Sequence, residues 1–341
     1  MEDVAADAMC AADDKQNPLA RFGCLYLPYL SGDDWMGAEP AACVPWGEEQ
    51  SCSGVDDVQI MPSNRSSTMR PLWFAGTTNF LTAVKHWRAS LDAPLRRVLI
   101  SGGSAGGQGA YVQADRLAAL LGADVEVKAD PQYGWFAPPT DAYADWVSGR
   151  HTDPSVPYPS PASLWPVPNW MYNITLALPA ACLASLPQGT SHLACTSTPV
   201  IALTVGVPLF VSNNVFDDYV VSVMEGVPGG KLGPTAHEDP KLAYLLEVTG
   251  PAMKGTMANA TSELPSSLQR AKRGAFVPAC VQHGMAWAGE SAPRVGNCTH
   301  AEAVASWFFG SGECKRFLID ERTHPTELSK LPCNAGKFKT V

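Results

Sequence analysis

Charge is scarce in this chain. Only 17% of its 341 residues are charged, and 24 basic residues stand against 33 acidic ones. The formal net charge of -9 gives a broad field that repels phosphate backbones and anionic membrane surfaces, so nucleic acid is not expected as a partner. Long hydrophobic runs are missing too: the longest, Val200 to Val211, contains Pro208 and falls short of the roughly 20 residues that span a bilayer. No transmembrane segment is read. None of the ten cysteines forms a Cys-x-x-Cys pair, which excludes the zinc-ribbon and thioredoxin readings on spacing. Internal repeats and coiled-coil heptads are absent as well.

What is there is a 46% hydrophobic chain with ample material for a large core, in one large domain or two medium ones. The scattered cysteines suggest disulfides. Four glycosylation sequons, at Asn64, Asn173, Asn259 and Asn297, join them in pointing to an oxidising, secreted or lumenal location. The N-terminus points elsewhere: Met1 to Cys10 is acidic and carries neither a basic nor a long apolar region, so it is not read as a signal peptide.

Strand and helix signals alternate at short intervals. Leu25 to Tyr29 reads as a short buried strand that runs into a loop from Leu30 to Gly37. Phe80, Val84, Trp87 and Leu91 recur at helical spacing before Pro94. Arg97–Ser101 reads as a strand, Ala114–Leu121 as a helix closed by Gly122, and Asp124–Ala129 as the next strand. Sheet character returns at Val207–Ser212, with helices expected around Leu242–Leu246 and Glu263–Lys272. The pattern is that of an α/β fold with a mostly parallel central sheet and helices on both faces. Residues 138–172 are rich in proline, serine and aromatics and read as an insertion, either a plain surface excursion or a lid carrying Trp165 and Trp170.

Between the strand at Arg97 and the helix that follows lies Gly102-Gly-Ser-Ala-Gly106. This fits Gly-x-Ser-x-Gly in the strand-then-helix context of a nucleophile elbow, where glycines remove Cβ atoms that would strike neighbouring backbone. A phosphate-binding loop fails because no Gly-Lys-Ser/Thr follows. Ser104 is then the candidate nucleophile, with the Ala105 N–H facing a developing oxyanion. A serine hydroxyl needs a base, and the base needs an acid to orient it. In this fold the chain order is serine, acid, histidine, which selects Phe216-Asp-Asp218 after the strand at Val207–Ser212. Of the seven histidines, His283, His300 and His324 lie far enough beyond it, whereas His237 sits close by in a charged stretch. His283, where an apolar run ends before Gly284, fits the base best. Trp35 and Trp135 are taken as candidate substrate-contacting aromatics.

Five segments, Leu27-Pro-Tyr-Leu-Ser-Gly-Asp33, Phe74-Ala-Gly-Thr-Thr-Asn79, Ser101 to Gly107, Asn214-Val-Phe-Asp-Asp218 and Phe276-Val-Pro-Ala-Cys-Val-Gln-His283, come in the order seen in the pectin acetylesterase and Notum family of serine esterases, which the chain resembles from about Asn17 to Cys333. The resemblance implies an α/β-hydrolase with Ser104 as nucleophile, Asp217 as acid and His283 as base, and no metal or cofactor. It also implies a Cys182–Cys195 disulfide and a half-cystine at Cys280 beside the base. The substrate it implies is an ester-bearing polysaccharide or an acylated protein, handled by a secreted, monomeric glycoprotein.

Two departures stand out. Relatives carry a Gly-Gly-x-Trp-Cys loop upstream of the Pro-Tyr segment that donates further oxyanion N–H groups, and no such loop precedes Asn17; many also have cysteine where this chain has Leu30. The expectation is a sequence without the family's N-terminal portion. An inactive relative that binds a glycan or acyl chain is therefore carried as the alternative. The expected layout is an acidic, disordered segment at 1–16, one hydrolase-like domain at 17–333 with its insertion at 138–172, and a tail at 334–341.

Overall fold

A computed structural model describes residues 9–10, 17–30, 32–33, 35–45, 59–60, 69–136, 177–190, 192–220, 240–262, 273–289, 291–335 and 337–338. The insertion at 138–172, with Trp165 and Trp170, the sequons at Asn64 and Asn173, His237, and the helix expected over Glu263–Lys272 lie outside these residues.

Two sheets form. In the smaller one, β1 (Glu39–Pro45) lies between β2 (Gln59–Ile60), which runs parallel to it, and β3 (Met69–Phe74), which runs antiparallel. The larger sheet has β4 (Arg97–Gly103), β5 (Glu126–Gln132), β6 (Leu209–Ser212), β7 (Arg273–Val277) and β8 (Phe317–Ile319) in spatial order equal to chain order, every pair parallel. Parallel strands need a crossover between each pair. Helix α1 (Gly76–Ala89) precedes β4, and α2 (Ala105–Leu121) makes the crossover from β4 to β5 and packs on both strands. This is an α/β-hydrolase-like arrangement.

The register decides where chemistry can sit. Gly103 pairs with Gln132, Gln132 with Ser212, and Ser212 with Phe276, so four strand ends lie in one row across the sheet. The segments that follow those ends converge on one side. An isolated bridge between Phe216 and Val281 carries the β6–β7 alignment past the sheet itself. The core is built from the inner strands: every residue of β6 and of β7 is buried. Mobility of segment ends is limited by disulfides joining Cys10–Cys24, Cys182–Cys195, Cys280–Cys333 and Cys298–Cys314.

Several elements differ from the sequence reading. Leu25 to Tyr29 is not a strand: it is chain without regular secondary structure, with Tyr26, Tyr29 and Leu30 exposed. Pro28 removes a donor there, and among the described residues no ladder pairs with the segment. Leu91 lies past the end of α1 and is exposed, while Phe80 and Val84 are buried. Helix α2 starts nine positions before Ala114, directly after the serine, because its Gly-rich first turns pack against backbone, a tertiary contact that propensity does not weigh. Strand β5 continues beyond Ala129 through Asp130 and Pro131, residues poor in strand propensity; the Asp130 side chain is satisfied by Ser212 on the neighbouring strand and by Gln132 on its own.

Candidate active site

Ser104 stands between β4 and α2 with φ 56° and ψ -120°. A non-glycine residue in this region is strained by about 1–3 kcal/mol and persists only where its surroundings enforce it. The enforcement is visible. The Ser104 N–H donates to the Gln132 carbonyl at 3.0 Å, and the Gln108 N–H returns to the Ser104 carbonyl at 3.0 Å. A Cβ on Gly102 would lie 2.5 Å from the Gly106 carbonyl oxygen, one on Gly103 would lie 2.2 Å from the Tyr133 hydroxyl, and one on Gly107 would lie 2.4 Å from the Gln132 carbonyl oxygen. Gly106 is different: a Cβ there would meet nothing within 4 Å. The second glycine of the motif is therefore not sterically required, and Gly107 beyond it is.

His283 bridges the serine and a carboxylate. Its Nε2 lies 2.8 Å from Ser104 Oγ, and its Nδ1 lies 2.9 Å from both Asp217 oxygens. The Phe216–Val281 bridge explains the meeting, since it sets the residue after Phe216 beside the loop that holds His283. Asn214 fixes that loop from below: its Nδ2 donates to the carbonyls on either side of the imidazole, Gln282 at 2.8 Å and Gly284 at 2.7 Å. Asp217 is 1% exposed. Burial pushes its carboxyl above the usual range, and the hydrogen bond and charge of His283 with the Tyr219 N–H pull it part of the way back. Asp218, the other carboxylate of the pair, is buried too but lies 3.9 Å from Lys337 Nζ.

Among the described residues, three aromatics surround the imidazole. Tyr219 stacks on it at 4.6 Å, Phe136 stacks at 6.3 Å, and Tyr133 meets it edge-on at 5.5 Å. Sequence reasoning missed all three. Tyr219, two residues beyond Asp217, was the one with a readable signal. With the Ser104 hydroxyl against the imidazole, and α2 beginning at Ala105, the first N–H groups of that helix are free of intrahelical acceptors and a partial positive charge lies beside the serine.

The other histidines lie elsewhere. His300 is fully buried at the start of α3 (His300–Phe309), with Nε2 2.8 Å from Ser212 Oγ, and His324 caps α4 (Pro325–Leu328), its Nδ1 accepting from the Thr326 N–H. Trp135 is 1% exposed, packs edge-on against Tyr111 and donates its indole N–H to Thr256 Oγ1; it fills the core, and an aromatic so buried presents no face to a substrate. Trp35 is half-buried at φ 63°, with its ring against Gly109 of α2 and tilted at 35° to that of Tyr29, 5.8 Å away. Asn297 is exposed in a turn, and Asn259 lies within the helix at Gly250–Ser262. Among the described residues, no group of three His, Cys, Asp or Glu could hold a metal ion, and no helix is long and apolar enough to cross a membrane.

A family model described as pectinacetylesterase matches residues 59–330, a span that includes Ser104, Asp217 and His283. The chain belongs to the pectinacetylesterase family. It is similar to two curated relatives from Arabidopsis thaliana: pectin acetylesterase 7, 25% identical over 249 residues, and pectin acetylesterase 11, 23% identical over 246 residues. The matches cover 68% and 67% of this chain, which spans 58% of the length of each relative.

Proposed function

We propose that this protein is a carboxylic ester hydrolase working through Ser104, His283 and Asp217, with an O-acetyl group on a polysaccharide as substrate. One observation carries the reading: a single imidazole within hydrogen-bond reach of both a strained, helix-capping serine and a buried carboxylate. Asp217 holds Nδ1–H, so Nε2 presents its lone pair to the Ser104 hydroxyl. As Ser104 Oγ attacks the ester carbonyl carbon, its proton moves to Nε2, and the charge that develops on the carbonyl oxygen faces the N–H of Ala105 at the helix start. His283 then returns the proton to the leaving alcohol oxygen as the carbon–oxygen bond breaks, leaving an acyl-serine. Water repeats the sequence in reverse roles and frees the acid. The acetyl and polysaccharide parts of the proposal come from what the relatives are named for; the alternative substrate is an acylated protein.

The same reading takes residues 17–333 as one hydrolase-like domain. It assigns the protein to a secretory or extracellular compartment, where the four disulfides among the described residues persist and the exposed Asn297 turn can carry a glycan. The test is covalent labelling with a fluorophosphonate probe, peptide mapping, and hydrolysis of p-nitrophenyl acetate. The label should fall on Ser104, and Ser104→Ala should abolish both label and turnover. A folded protein that takes no label would overturn the esterase reading in favour of a chain that only binds a glycan or acyl group.

A further inference from the structure

Beneath the site lies a second serine, histidine and carboxylate that the proposed chemistry does not use. Asp130 and His300 are both 0% exposed, so no substrate reaches them. Ser212 Oγ lies 2.6 Å from Asp130 Oδ1 and 2.8 Å from His300 Nε2. With Asp130 as the carboxylate, the one hydroxyl hydrogen of Ser212 goes to Asp130, and His300 must donate from Nε2. The other Asp130 oxygen accepts from Gln132 Nε2 at 3.0 Å, with Ser101 Oγ at 3.4 Å and His300 Nε2 at 3.7 Å. Phe276 stacks on the His300 ring and Trp287 meets it edge-on, which sets the ring's tilt. Among the described residues its Nδ1 has no hydrogen-bond partner.

A carboxylate this deep is not explained by stability, because well-packed apolar residues in place of buried charges are often neutral or stabilising. Its position explains it better. Ser101 lies three residues before Ser104; the Gln132 carbonyl receives the strained Ser104 N–H; the Ser212 carbonyl receives the Tyr133 N–H at 2.6 Å; and Asn214, two residues past Ser212, clamps both sides of His283. The cluster thus ties the ends of β4, β5 and β6 to one buried charge, immediately under the groups that must meet within tenths of an ångström.

We propose that His300, through Ser212 and Asp130, is a positioning residue that holds the elbow and the base loop in register. This rests on the proposed role of Ser104 and His283, and the experiment separates the two. His300→Phe keeps the stacked ring and removes the donor; His300→Gln restores an N–H donor at about the same reach. Steady-state hydrolysis of p-nitrophenyl acetate, active-site titration with the fluorophosphonate and melting temperature are measured for each. His300→Phe should lower kcat per titrated site about 10- to 100-fold, the usual effect of a misplaced reacting group. KM and melting temperature should change little, and His300→Gln should recover most of kcat. Ser212→Ala should reproduce the loss. Unchanged kcat per site in His300→Phe would overturn the proposal while leaving the esterase reading intact, as would a loss explained wholly by fewer folded molecules or failure of all three variants to fold. An unlabelled wild-type protein would instead sink the esterase reading itself.

Discussion

The Ser104 N–H donates to the Gln132 carbonyl at 3.0 Å, and a Cβ on Gly107 would lie 2.4 Å from that same oxygen. One backbone acceptor on β5 therefore both holds the strained serine and forbids a side chain one turn into the following helix. Helix and strand can approach closely enough for this bond only because Gly107 has no Cβ.

The two alanine substitutions beside the serine should consequently diverge. Gly107→Ala forces a Cβ against backbone, where nothing flexible can give way, and overpacking of this kind costs about 1–3 kcal/mol or more. It should lower the melting temperature and slow fluorophosphonate labelling of Ser104. Gly106→Ala meets open space and adds helix propensity worth about 1 kcal/mol, so the fold should be as stable as the parent or more so. Comparable damage from both would show that the motif glycine matters for a reason other than steric room.

Asp217→Asn should raise stability while removing activity. Burial lifts the Asp217 carboxyl above its ordinary value despite the bond to His283. A group whose folded value is raised contributes stability fully below its unfolded value and loses that contribution as pH climbs through the folded one. At neutral pH the ionised Asp217 therefore weakens the fold, and an amide of the same shape relieves it. Calorimetry from pH 4 to pH 8 should give the variant the higher melting temperature near neutrality, with the gap closing toward pH 4. Turnover should drop by about 10⁴, as when a triad aspartate is neutralised and the wrong imidazole tautomer results. A destabilised variant at pH 7 would mean that the Nδ1–carboxylate bond outweighs desolvation.

The elbow was readable because local chemistry dictates it: an apolar strand, glycines, a serine and a helix are adjacent in sequence, and their physics is local. The distant partners were harder. Pattern left Asp217 and Asp218 open and admitted three histidines, because what distinguishes them is the Phe216–Val281 bridge, a contact between segments 65 residues apart. Trp135 shows the opposite failure: taken as a candidate substrate-contacting aromatic, it has Thr256 to satisfy its indole N–H, and its ring fills the core. Asp130 was invisible, since it looked like the end of a strand. Only the fold supplies the Ser212 and Gln132 side chains that let a carboxylate continue one.

The disulfides should differ in what they protect. Cys280–Cys333 closes a separation of 53 residues and Cys298–Cys314 one of 16, so chain entropy gives about 4 and about 3 kcal/mol respectively. The former also seats Asn334, whose side chain accepts from the Val281 N–H at 2.6 Å and donates to the Ala279 carbonyl at 3.0 Å, on the segment leading into His283. Replacing Cys280 and Cys333 together with alanine should lower both urea resistance and the labelling rate of Ser104. Replacing Cys298 and Cys314 should lower urea resistance alone. Equal effects on labelling would show that the base loop does not depend on its anchor.

Tyr219 should act on the imidazole through its ring. It stacks on His283 at 4.6 Å and 28°, while its backbone N–H donates to Asp217 Oδ1 at 3.0 Å. Two groups of the site are thus held by one residue, but only the stacking depends on its side chain. The proposed mechanism places a transient positive charge on His283, and an aromatic face beside a desolvated cation contributes about 0.5–2 kcal/mol, equivalent to roughly 2- to 30-fold in rate. Tyr219→Phe keeps the face and should keep most of kcat. Tyr219→Ala should lose kcat by that factor with little change in KM, because the ring favours a charge present in the transition state and absent from the ground state. If Tyr219→Phe proved as damaging as Tyr219→Ala in steady-state hydrolysis of p-nitrophenyl acetate, the hydroxyl would be the active part, and the stacked ring would be only its support.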